Sequence, residues 1–136
     1  TECPVMLVPE EYELPTKVML TYDGNPDSVF AIKQFTYLFP QFYQWETRLV
    51  TLEEKGEAIP HQELIQELAT KHFANLTIEA VNTVTEKTFD TWVADQTDHI
   101  VVSGAFGRSE LSTLFHKSFI GNVIEDHKVP VFVAHR

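Results

Sequence analysis

Short apolar runs alternate along this chain with longer stretches whose apolar positions recur at helical spacing. Residues 17–22, KVMLTY, form a mostly apolar run of the kind buried on both faces of a parallel sheet. It ends at Asp23-Gly24-Asn25-Pro26, a cluster of turn formers. In the following stretch Ala31, Ile32, Phe35, Leu38 and Phe39 share one helical face. Asp27 or Ser28 can cap that helix, and Pro40 stops it. Thr47 to Leu52 reads as a second strand, with a solvated exit loop from Glu53 to Glu57. Pro60 opens a second helix with a stripe of Leu64, Ile65, Leu68, Ala69 and Phe73, and with a favourable Glu67–Lys71 pair one turn apart. Leu76, Ile78 and Ala80 then alternate with Thr77 and Glu79, which suits an edge strand with one wet face. Thr83 and Glu86 form a capping box for a third helix carrying Phe89, Trp92 and Val93. Ile100 to Val102 leads into a loop with Gly104 and Gly107, a fourth helix ending near His127, and a last strand from Val129 to Val133.

The order is βαβαβαβαβ, and each connection is long enough for a right-handed crossover. Such a pattern implies an open parallel sheet with helices on both faces, whose ligands sit beyond the carboxyl ends of the strands at the switch point. Asp23 and the Gly104–Gly107 loop end the first and fourth strands of this series; if those strands are neighbours, the two features share one cleft. Ahead of the series stands another strand, residues 2–9, and a charged linker, Glu10 to Thr16. Its Cys3-Pro4-Val5-Met6-Leu7-Val8 parallels Val129-Pro130-Val131-Phe132-Val133-Ala134. Residues 1–16 are therefore expected to be the last strand of a preceding repeat plus a linker, and residues 17–136 one complete unit. Residues 3–8 should pair with a last strand, either in this chain or in a second copy.

Composition narrows the partners. With 136 residues and 43% hydrophobic content the unit can bury one proper core. A formal net charge of −10 disfavours nucleic acid and anionic membranes, though not one small phosphate ligand held by local backbone dipoles. No apolar run is long enough to span a bilayer, and Cys3 is the lone cysteine, which suits a cytoplasmic setting. His61, His72, His99, His116, His127 and His135 show no metal-ligand spacing and read as surface or interface residues.

Residues 17–136 resemble a universal stress protein domain, most densely from Asp98 to Val133. The family's signature is a strand, then G-x2-G-x9-G-[ST], then a helix ending at a Pro-Val strand. Here Gly104 and Gly107 are followed by nine residues, Arg108 to His116, then Lys117 where relatives that bind ATP have glycine, then Ser118. Asp23 matches the aspartate that faces the adenine base. The resemblance implies a three-layer doubly wound α/β fold, a five-stranded parallel sheet in the order 3-2-1-4-5, adenine-nucleotide alpha-hydrolase-like. The extra N-terminal strand should lie at the edge next to the last strand. It also implies a homodimer, or an intramolecular pseudo-dimer, joined through the last strand.

The nucleotide site is degenerate on this reading. Gly104 and Gly107 would let the backbone approach phosphate, or would simply make a tight turn. Lys117 fills space that glycine leaves for phosphate oxygens; alternatively its ammonium attracts phosphate, helped by Arg108 and the helix dipole at Ser118. Ser118 would donate to phosphate or serve as a cap, and Asp23 would accept from adenine or form an Asx turn. Obstruction by Lys117 is favoured. No nucleophile–base set stands out, so no enzyme is expected. The reading is a stress-response interaction module that dimerises and needs no cofactor. The alternative is an ATP- or AMP-binding switch with at most slow hydrolysis.

Overall fold

A computed structural model describes residues 4–8, 14–22, 26–53, 62–82, 98–104 and 129–134. The apolar runs become strands β1 (Val5–Leu7), β2 (Lys17–Tyr22), β3 (Glu46–Glu53), β4 (Asn75–Asn82), β5 (His99–Gly104) and β6 (Val131–Ala134). Helix α1 spans Pro26–Leu38 and α2 spans Gln62–His72. The third and fourth expected helices lie outside the described residues.

All six strands join one sheet in the order β1-β6-β5-β2-β3-β4. From β2 onward every neighbouring pair is parallel. Counted from Lys17, the five parallel strands follow the expected order 3-2-1-4-5. β1 adds to the outer edge of β6 antiparallel, with Val5 opposite Val133, Met6 opposite Phe132 and Leu7 opposite Val131.

The central strand explains why its sequence is so evenly apolar. On β2, Val18, Leu20 and Tyr22 point toward the face that carries α1 and α2, while Met19 and Thr21 point the other way, and all five are buried. Alternate residues of the neighbouring strands complete the first face: Leu49 of β3, Ile100 and Val102 of β5, and Phe132 and Ala134 of β6. α1 lies over β5 and β6 as well as β2, and α2 lies over β3 and β4. Each fully buried side chain of this size contributes about 1.5–3 kcal/mol.

Phe35 anchors α1. Its ring sits 5.4 Å, edge-on, from Phe132, with Phe39 at 5.3 Å and Phe42 at 5.6 Å. Pro40 ends the helix as expected and starts a short 3-10 turn, Pro40–Phe42, which swings Phe42 back under Phe35.

Three details depart from the sequence reading. α1 begins at Pro26, a residue whose fixed φ suits the first helical position, so Asp27 and Ser28 lie inside the first turn and not at the cap. Leu38, assigned to the buried face, is 44% exposed because the chain leaves the helix there. Leu64, assigned to the buried stripe of α2, is 63% exposed; Ile65 and Ala69 take the sheet-facing positions.

Candidate functional site

The topology sends the chain to one side of β2 through β3 and β4, and to the other side through β5 and β6. The switch point is the seam between β2 and β5, which are hydrogen-bonded neighbours with Lys17 opposite His99 and Leu20 opposite Val102. A buried side chain bolts the seam, since Thr21 Oγ1 donates to the Val102 carbonyl at 2.7 Å. β2 ends at Tyr22 and β5 ends at Gly104, so both strands end at the same crevice. Ser103 and Tyr22, both buried, stand at its base.

Of the six residues singled out for a nucleotide site, Gly104 is the one the structure describes, as the last residue of β5 opposite Ala134. Asp23, Gly107, Arg108, Lys117 and Ser118 lie outside the described residues. β2 and β5 are neighbours, and the cleft expected between Asp23 and the Gly104–Gly107 loop involves residues outside the described ones.

At the opposite, amino ends of the strands the structure brings together charges that the sequence reading missed. Lys17 Nζ lies 3.4 Å from Asp98 and 3.7 Å from Glu46. The Asp98 carbonyl also accepts the backbone N–H groups of Thr16 and Lys17. Asp98 Oδ1 lies 2.7 Å from His99 Nδ1. Two strands away, Arg48 Nε donates to Glu79. His99 is buried, contrary to its reading as a surface or interface residue, because it points inward from the first position of an interior strand.

Burial lowers the pKa of His99 and outweighs the opposing pull of Asp98, with Arg48 and Lys17 adding to the fall. The shift favours the neutral ring, and because an ionised carboxylate can only accept, Nδ1 is the donor in its pair with Asp98. For Asp98, burial acts to raise the pKa; the His99 ring, its hydrogen bond and Lys17 together reverse this and hold the carboxyl below its ordinary value. A hydrogen bond from Arg48 holds Glu79 below the ordinary range as well. His99 Nε2 is buried without a hydrogen-bond partner. The adjacent Asp98-His99 pair was visible in the sequence. Its meeting with Lys17 follows only from strand order.

Among the described residues no group of three or more His, Cys, Asp or Glu could hold a metal ion. No described helix is long and apolar enough to cross a membrane.

The architecture is that of the universal stress proteins, with the five-stranded parallel sheet and flanking helices of that adenine-nucleotide alpha-hydrolase-like fold. A universal stress protein from Archaeoglobus fulgidus superposes with a TM-score of 0.66 at 17% identity, covering 100% of this chain and 50% of that one. A universal stress protein crystallised in complex with cAMP gives a TM-score of 0.61 at 15% identity, over 90% of this chain and 98% of that one. The universal stress protein UspA from Lactobacillus plantarum gives 0.55 at 14% identity, over 90% and 99%. This chain thus spans half the length of the A. fulgidus protein and nearly all of the other two. No protein-family model matches the sequence, and no curated protein matches it.

Proposed function

We propose that this chain is a stress-response protein that works as an interaction module through the outer edge of its last strand, without holding ATP tightly and without catalysis. The register of β1 carries the reading. In sequence, Pro4-Val5-Met6-Leu7 matches Pro130-Val131-Phe132-Val133 position for position. In the sheet, Val5, Met6 and Leu7 lie opposite Val133, Phe132 and Val131. Replace β1 by the β6 of a second copy, residue for matching residue, and Val131 falls opposite Val133, Phe132 opposite Phe132, and Val133 opposite Val131. That is the self-complementary register of a two-fold interface. β1 therefore stands where the last strand of a second unit would stand, which supports an intramolecular pseudo-dimer at this edge, or a homodimer when β1 is displaced.

Weak nucleotide binding follows from Lys117, which occupies the glycine position of the phosphate loop. The test is a thermal melt with ATP, AMP or cAMP at millimolar concentration. No saturable rise in Tm is expected; a rise of several degrees would overturn the absence of tight binding.

One observation favours a nucleotide switch as the second reading. Gly104 ends β5 beside the end of β2, at the switch point, and a structural neighbour was crystallised with cAMP. On that reading Asp23→Ala weakens nucleotide binding and Lys117→Gly changes it sharply. Unchanged calorimetric titrations in both variants would remove it.

A further inference from the structure

A groove of about 800 Å³ runs between α1 and α2, reaching Tyr22 at the end of β2 and including no residue of β6. Its walls are apolar: Val29 and Phe30 on α1, Leu64 and Leu68 on α2, over a floor that includes Tyr22 and Ile65. α1 and α2 both run back against parallel strands, so they run parallel to each other. Lys33 lies seven residues beyond Pro26 on α1, and Lys71 lies seven residues beyond Leu64 on α2. Both lysines therefore line the same end of the groove, about 10 Å from its other end. Lys71 is matched by Glu67 at 3.7 Å. No carboxylate of the described residues forms an ion pair with Lys33.

We infer that this groove binds a medium-chain fatty acid anion, with its hydrocarbon chain between the two helices and its carboxylate at Lys33. An apolar trough of this size suits a small amphipathic ligand. A large exposed leucine beside half-buried Val29, Phe30 and Leu68 leaves apolar surface that a hydrocarbon chain would remove from water. Charge sets the head group. In a chain with 20 acidic and 10 basic residues, two lysines share one end of a single apolar groove, and one carboxylate is already paired there. A second carboxylate, brought by the ligand, completes the match through charge-assisted hydrogen bonds.

Isothermal titration of the full chain with decanoate below its micellar concentration tests this, with decyltrimethylammonium as the cation of equal chain length. Saturable one-to-one binding of decanoate is expected, with binding of the cation at least about tenfold weaker. Lys33→Glu should weaken decanoate by a similar factor, and Leu64→Asp should abolish binding. Both side chains are exposed, so the variants should keep the far-UV circular dichroism of the parent. Absence of saturable binding, equal affinity for anion and cation, or insensitivity to Lys33→Glu would each overturn the assignment. None of these outcomes bears on the β6 edge, which contributes no residue to the groove.

Discussion

At the residue scale, His99 is the clearest case of a side chain whose chemistry is set by its place. Its folded pKa lies below 6.5, mainly through burial. Well above pH 6.5 both folded and unfolded states are neutral at this ring. As pH falls below 6.5 the unfolded chain takes up a proton that the folded ring refuses, so stability drops until the folded pKa is passed. The slope from this one group is at most about 1.4 kcal/mol per pH unit. Asp98 acts in a separate, lower window: its depressed pKa contributes stability above 3.8 that is lost as pH falls through the folded value. His99→Gln removes the first titration. Urea unfolding from pH 7.5 to 5 should then show a flatter stability profile than the parent; parallel profiles would mean that the ring titrates normally. Phe35, 0% exposed and ringed by Phe39, Phe42 and Phe132, is the residue whose loss should cost most. Phe35→Ala is expected to lower unfolding free energy by about 3–5 kcal/mol in the same measurement.

At the element scale, the strand that matters most is the shortest. β1 supplies three residues, yet it covers the outer edge of β6 and leaves β4 as the other edge strand of the sheet. An open, apolar edge is a template for pairing. Met6→Pro removes a backbone donor from the middle of β1 and should release it. Sedimentation velocity should then report a dimer, formed by β6 against β6. A monomer that keeps its native circular dichroism would show that the edge is not a pairing surface. The edge strand at the far side illustrates how far periodicity reads. Alternation in residues 76–80 placed β4 at an edge, which the sheet order bears out, but Ile78 is 42% exposed and Glu79 is half-buried. Arg48 reaches across from β3 to hold Glu79, and no pattern within β4 contains that partner.

At the scale of the whole molecule, the sequence by itself determined the succession of the described strands and of the first two helices, the parallel sheet and the likeness of β1 to β6. Those features are local or repetitive. Evenly apolar runs need burial on both faces, helical spacing needs one buried face, and matched Pro-Val strands ask for matched places. Tertiary structure decided what depends on distance across the chain. It set β5 against β2, so that Tyr22 and Gly104 end at one seam although 81 positions separate the Thr21–Val102 bond that fastens it. It turned His99 inward, because a residue's burial belongs to its strand's neighbours. It left Leu64 out of the core, because α1 stands over β5 and β6 while α2 stands over β3 and β4, and the gap between them became a groove. Helical periodicity names an apolar stripe about 100° wide, but which part of the stripe meets the sheet is settled by where the next helix packs.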